Sequence, residues 1–265
     1  MEHERDEEQA VSSLAGHRGE KTGIRRGIYL LPNLITTGAL FSGFYAIIAA
    51  MSGSLEKAAI AVVIAGLLDA MDGRIARMTN TQSEFGVQYD SLSDLVAFGV
   101  APAVLTFSWV LSGLGNIGWM IAFLYMACAA LRLARFNTRP DNKVFTGLAS
   151  PAAAGTTATF VWLWAKHFGP PVSMHLSIVA ATLVTVVALL MVSNLRYYSP
   201  KHINLKGRVP FTYLVGIVLV FLVIFVDPPG VLFTMAVAYA ASGPVQAIVR
   251  WRRRSRKRKD ATAEK

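Results

Sequence analysis

Four aspartates, Asp69, Asp72, Asp90 and Asp94, fall within 26 residues of a chain that is otherwise apolar around them. The local run is Leu67-Leu68-Asp69-Ala70-Met71-Asp72-Gly73-Arg74-Ile75-Ala76-Arg77, followed by Gly86 and the second aspartate pair. Asp69 and Asp72 are i,i+3 and share one helix face, while Asp90 and Asp94 are i,i+4 and share a face of the next helix. A charged side chain at the centre of a lipid-embedded helix costs about 2.5–3.5 kcal/mol even on the lenient insertion scale, so four of them demand compensation. Two divalent cations would cancel the formal charge, and an all-oxygen ligand set suits Mg²⁺ or Mn²⁺. The nearby positives are only Arg74 and Arg77, and no histidine is close in sequence, so zinc fits poorly. Capping is open to Asp90, since Asp is a favoured N-cap, but not to Asp69 or Asp72 inside an apolar helix. Gly73, Ala76 and Gly86 leave room for close backbone approach or a flat group, or serve helix packing. Arg77, one turn past Gly73, is placed to fork onto a phosphate.

The elements that must position these residues follow from composition. Of 265 residues, 54% are hydrophobic and 16% charged, and the mean hydropathy is +0.45. A soluble domain carries about 25% charged residues, so this chain lacks the polar surface to cover itself. A disordered chain is excluded, and an ordinary water-soluble enzyme is disfavoured. Crossing a hydrocarbon core takes roughly 20 apolar residues. Apolar runs recur at 29–51, 57–77, 89–112, 115–134, 149–165, 171–194, 209–226 and 230–249. They predict an all-α, polytopic membrane helical bundle of about eight transmembrane helices. Ser52-Gly53-Ser54, Gly113-Leu114-Gly115, Gly169-Pro170-Pro171 and Asp227-Pro228-Pro229-Gly230 break several of them. The second helix runs inward and the third returns, joined by a polar 78–88 turn. Asp69 is then roughly 12 Å along the axis from Arg77, and Asp94 is about as deep in the returning helix. All four carboxylates can meet at one shallow depth.

Charge sets the orientation. With connections numbered alternately, all of the 26 Lys and Arg residues except Lys57 and Lys166 fall on one side. Positive residues are retained in the cytoplasm, so both termini and the aspartates are expected on the cytoplasmic face of an inner membrane. The net charge of +10 needs no nucleic acid to explain it. The basic run Arg250–Lys259 reads as a topology anchor attracted to an anionic leaflet. Residues 1–27 lack an apolar core and are no secretory signal, and the single Cys128 allows no internal disulfide or cysteine metal cluster. The expected division is a polar cytoplasmic tail 1–27, a membrane domain 28–250 and a basic cytoplasmic tail 251–265.

Written out, the spacing is Asp69-x2-Asp72-Gly73-x2-Ala76-Arg77-x8-Gly86-x3-Asp90-x3-Asp94. All eight fixed positions resemble the signature of the CDP-alcohol phosphatidyltransferases. The resemblance implies two divalent cations, Mg²⁺ or Mn²⁺, held by Asp69, Asp72, Asp90 and Asp94, with Asp94 a ligand, the catalytic base, or both. It implies that Gly73, Ala76, Arg77, Ser83 and Gly86 accommodate CDP-diacylglycerol beside the aspartates. Pro32-Asn33-Leu34-Ile35 resembles the family's other cytidine-contacting segment, although Pro at a helix start is ordinary.

Family members differ in the acceptor alcohol. Three further stretches, Ala130–Asn137, Gly147–Gly155 and Ser193–Lys201, and then Leu205–Phe211, are similar to the integral-membrane phosphatidylserine synthases of that family, with Ala149 standing where a proline is expected. The implied substrates are CDP-diacylglycerol and L-serine, and the implied products phosphatidylserine and CMP; a homodimer is compatible with this. Holding the serine carboxylate needs a cation. Arg135 is favoured for a bidentate contact, with Arg132, Asn137, Arg196 and Lys201 as alternatives at the same end. Glycerol phosphate and inositol phosphate are the competing acceptors, and both would want a denser basic pocket. An ion transporter is the reading from a different class, but no internal repeat supports it. None of His3, His17, His167, His175 or His202 begins a His-x-Lys-x4-Asp pattern, so a covalent phospholipase-D-like route is not supported.

Overall fold

The computed structural model describes residues 31–79, 83–138, 146–169, 173–197 and 211–263. Among these residues the chain is helical, with no strand beyond one isolated bridge between Thr146 and Arg196. The helices are α1 Leu31–Met51, α2 Leu55–Thr79, α3 Glu84–Trp109, α4 Asn116–Thr138, α5 Ser150–His167, α6 Met174–Val192, α7 Phe211–Val226 and α8 Pro228–Ala263. Each of the eight apolar runs has become one helix. Five of them, α1, α3, α4, α6 and the Pro228–Arg250 part of α8, are long and apolar enough to cross a membrane. The chain is an integral membrane protein of helical architecture. The other three helices fall short for separate reasons: α2 carries Asp69, Asp72 and Arg74 within its apolar stretch, α5 has 18 residues rich in small and polar types, and α7 is 16 residues long.

Two boundaries differ from the sequence expectation. Helix α3 begins at Glu84 because Ser83, extended at φ −125° and ψ 153°, accepts a hydrogen bond from the Gly86 amide at 3.0 Å. The turn after α2 is therefore shorter than 78–88, and the capping role open to Asp90 belongs to Ser83. Helix α8 extends to Ala263, so the basic segment continues the last helix. Lys and Arg are good helix formers, which permits this.

Small residues set the packing, as is usual between membrane helices. A Cβ on Gly43 of α1 would come within 2.6 Å of the Ala97 Cα, so α1 and α3 approach backbone to backbone. Ser42 donates to the Ala61 carbonyl at 2.8 Å and joins α1 to α2. Helix α5 lies against α2, α3, α6 and α8, and α7 rests on α8. One buried cluster, rich in alanine, spans α1, α2, α3 and α5; another joins α4, α5, α6 and α8 around Tyr125, Leu148 and Met191. At the end of the bundle away from the aspartates, Lys166 and His167 both reach Asp227 Oδ1 at 3.0 Å. These contacts hold the Asp227 carboxyl below the usual carboxylate range.

Two prolines interrupt helices, and two tyrosines repair the damage. Pro102 has no N–H to offer the Phe98 carbonyl, and the backbone just before it opens into a π-helical turn, Leu95–Val100. The fully buried Tyr125 hydroxyl donates to that carbonyl at 3.2 Å. Pro244 likewise deprives the Ala240 carbonyl, and the buried Tyr197 hydroxyl donates to it at 3.0 Å. With no water in a bilayer core, a freed carbonyl must find a neighbour. Tyr125→Phe and Tyr197→Phe should each cost about 1–3 kcal/mol by leaving a buried acceptor unpaired. Thermal unfolding in detergent checks this: both variants should melt earlier, and Tyr45→Phe, at an exposed site, should not.

Candidate active site

The carboxylates gather where α1, α2 and α3 converge. One oxygen from each of Asp69, Asp72 and Asp90 lies within 4.8 Å of the others. The Asp94 carboxyl comes within hydrogen-bonding reach of Asp69. Asp72 is buried, and the other three are half-buried. Among the described residues no lysine, arginine or histidine forms an ion pair with any of them. Like charges this close, partly out of water, repel strongly. The donor set is all oxygen, hard and preassembled, which fits a divalent cation of the Mg²⁺ or Mn²⁺ type.

A cleft of about 190 Å³ opens beside this cluster, lined by Pro32, Asn33 and Thr36 of α1, Asp72, Gly73 and Ala76 of α2, and Ser83, Gly86, Val87 and Asp90 at the start of α3. Gly73 faces open space, with nothing within 4 Å of where its Cβ would stand. A side chain there would project into the cleft. A Cβ at Gly86 would sit 3.3 Å from Asn33 Oδ1, so the glycine permits the close approach of α1. Two residues of the Pro32–Ile35 segment are off this wall: Leu34 is exposed and Ile35 half-buried, and neither lines the cleft. Arg77 is exposed and does not line it either. The helical period explains both, since only one face of α1 and one of α2 turn inward.

Near Asp94 the stretches 130–137 and 147–155 and the described part of the third, 193–197, come together. Arg132 is 8% exposed; its Nη1 donates to Ser150 Oγ at 2.8 Å, and its guanidinium lies 4.7 Å over the Phe136 ring. It is also close enough to Asp94 to feel its charge. Its Nε is buried and has no hydrogen-bond partner among the described residues. Arg135, the residue favoured from sequence, instead reaches Asn194 Oδ1 at 2.8 Å and ties α4 to the end of α6. Asn137 pairs with Ser91 of α3, its Nδ2 donating at 3.0 Å. Arg196 is exposed at the bridge to Thr146, and Lys201 lies outside the described residues. The loop before α5 is stitched down by Gly147 N–H to Leu195 O at 2.8 Å and Leu148 N–H to Leu190 O at 3.0 Å. Gly147 has φ +82°, and a Cβ there would meet the Met191 carbonyl oxygen at 2.3 Å, so only glycine fits.

Sequence reasoning passed over Thr36, Val87, Ser150 and Asn194. Thr36 carried a signal, because it lies one turn beyond Pro32 on the same face. Ser150 and Asn194 sat within stretches already singled out, but nothing local marked them as partners of Arg132 and Arg135.

The family model for CDP-alcohol phosphatidyltransferases matches residues 29–243. A CDP-diacylglycerol–serine O-phosphatidyltransferase of Helicobacter pylori strain J99 is 39% identical over 233 residues, which are 84% of this chain and 92% of that protein. An archaetidylserine synthase of Methanothermobacter thermautotrophicus is 35% identical over 170 residues, 63% of this chain and 69% of its own. A Mycobacterium tuberculosis H37Rv protein with the same name as the Helicobacter one is 37% identical over 140 residues, 49% of either chain. The matched span takes in the aspartates, the cleft and the buried Arg132, so the chain belongs to the CDP-alcohol phosphatidyltransferase family.

Proposed function

We propose that this protein transfers the phosphatidyl group of CDP-diacylglycerol to the hydroxyl of L-serine, giving phosphatidylserine and CMP. The observation that carries the choice of serine is Arg132. A buried guanidinium with a free donor, set against Asp94, suits one small carboxylate. Glycerol phosphate or inositol phosphate would bring a dianion and call for a denser basic pocket, whereas Arg132 is the one buried cation among the described residues. The names of the relatives support the same acceptor.

Asp69, Asp72, Asp90 and Asp94 would hold two divalent ions, Mg²⁺ or Mn²⁺. Bound there, the ions supply Lewis-acid stabilisation of the charge that spreads over the pyrophosphate oxygens. The protein's own residues do the rest. Pro32, Asn33, Gly73, Ala76, Ser83 and Gly86 form a wall on which the cytidine diphosphate part can lie, with Arg77 at its margin. Arg132 orients serine by its carboxylate, and Ser150 fixes the arginine. The serine oxygen attacks the phosphorus that bears the lipid, and a new P–O bond forms. The pyrophosphate P–O bond breaks, CMP leaves with the electron pair, and Asp94 takes the hydroxyl proton. Holding both substrates at one site supplies proximity without a covalent intermediate.

We also propose that all eight helices span an inner membrane, α2 being admitted by neutralisation of its aspartates. Residues 1–27 and 251–265 would be cytoplasmic tails flanking a 28–250 membrane domain, so that the site faces cytosolic serine. A homodimer is compatible with this arrangement.

The direct test is purified protein with CDP-diacylglycerol and labelled serine, with and without Mg²⁺ or Mn²⁺, reading lipid product and released CMP. Product should appear with serine and a cation, and chelation should abolish it. CMP release and lipid product with glycerol phosphate or inositol phosphate but not with serine would sink the serine reading, and no CMP release with any acceptor would sink the transferase reading. Asp69→Asn and Asp90→Asn should each lower kcat at least about 100-fold and weaken cation dependence, since an amide is a poorer ligand for a hard ion. Near-normal turnover in either variant would remove that residue from the ligand set. Arg132→Lys keeps the charge but loses the planar fork, and should raise KM for serine about tenfold while KM for CDP-diacylglycerol stays within about twofold. The same change at Arg135 should do less, because Asn194 already occupies it. A larger effect at Arg135 would reverse the assignment.

A further inference from the structure

Thr36 touches every helix that builds the carboxylate cluster. It belongs to α1 and is 4% exposed. Its Oγ1 lies 2.7 Å from Asp72 Oδ2 on α2 and 3.0 Å from the Pro32 carbonyl one turn back. Its own carbonyl accepts a hydrogen bond from Ser93 Oγ of α3 at 3.2 Å. Ser93 is also buried and immediately precedes Asp94.

A hydroxyl has one proton to give, and here two acceptors compete for it. The carboxylate is nearer and can be charged, and charge-assisted bonds are roughly twice as strong as neutral ones. Thr36 therefore donates to Asp72, and the contact to Pro32 is the weaker one. The β-branched side chain is stiff at χ1, so α1 sets the direction of that proton. Thr36 thus holds the Asp72 carboxylate from the α1 side, and an oxygen of that carboxylate lies within 4.8 Å of oxygens of Asp69 and Asp90.

We propose that Thr36 is the positioning residue for Asp72: it fixes the carboxylate so that one oxygen faces the cation position, and through Ser93 it keeps α3 in register with α2. This deepens the metal reading above and rests on it. Thr36 touches neither the reacting phosphorus nor serine in this scheme; it acts through Asp72. A residue that only glued α1 to α2 would affect stability but not cation affinity.

The experiment measures Mn²⁺ binding to purified protein in detergent by electron paramagnetic resonance, which needs no turnover, alongside thermal unfolding without metal. Thr36→Val removes the donor at nearly constant shape and should weaken Mn²⁺ binding about tenfold, as loss of a partner behind a metal ligand usually does. Thr36→Ser keeps the hydroxyl and should stay within about twofold of the unmodified protein. Asp72→Asn supplies the reference for losing the ligand itself. If Asp72→Asn weakens Mn²⁺ binding and Thr36→Val does not, the positioning role is overturned while the metal reading stands. If the unmodified protein binds no Mn²⁺, or Asp72→Asn binds it normally, the reading of Asp72 as a ligand falls and the proposal with it. Should Thr36→Val not fold, Thr36→Cys, similar in size and a weak donor, decides: weaker binding than Thr36→Ser supports the role, and equal binding overturns it.

Discussion

Mutual repulsion among four carboxylates is the constraint on which this structure turns. Placed in water, they would separate; placed in lipid without company, they would keep α2 out of the membrane. The fold brings them together with no ion pair to any of them among the described residues, and Arg132 is near enough only to Asp94 to feel its charge. Such a cluster suits a divalent cation, and the cost of assembling it is met by the surroundings. Alanine and glycine contacts between α1, α2 and α3 do this, since they let three backbones approach closely enough to hold the aspartates in place.

The same economy of backbone groups runs through the rest of the bundle. Helices interrupted by Pro102 and Pro244 would each expose a carbonyl to hydrocarbon, and a tyrosine from another segment covers each. One of these repairs lies just past Asp94, beside the π-helical turn that follows it. The other pins the end of α6 to α8, close to where Asn194 meets Arg135. The buried polar contacts thus bind the Arg132 side of the site to the carboxylate side, and Arg132 stands between the two with its buried Nε unpaired among the described residues.

Several features were legible in the residues alone because they depend on local spacing. Periodic apolar runs placed every helix, and the i,i+3 and i,i+4 aspartates announced a shared depth. The all-oxygen chemistry followed from residue type. Other features were illegible because they depend on helix rotation. Arg132 and Arg135 are three residues apart on α4, and composition cannot say which one turns toward Asp94. Leu34 and Ile35 sit beside Asn33 in sequence yet face elsewhere. The start of α3 is hidden in the sequence because Ser83 is as much a turn residue as a cap, and its capping bond to Gly86 appears only in three dimensions.

The sequence by itself determined the membrane-helical class, the order of the helices, the carboxylate cluster and the family resemblance, because each is a matter of local period, residue type or spacing. Tertiary structure alone decided which arginine is buried, which serine and asparagine hold the two arginines, and that Thr36 stands behind Asp72. Those pairings join residues 18, 59 and 36 positions apart. No local rule links residues at such separations; only the packing of helix on helix, fixed by the sum of many small contacts, brings them into hydrogen-bonding range.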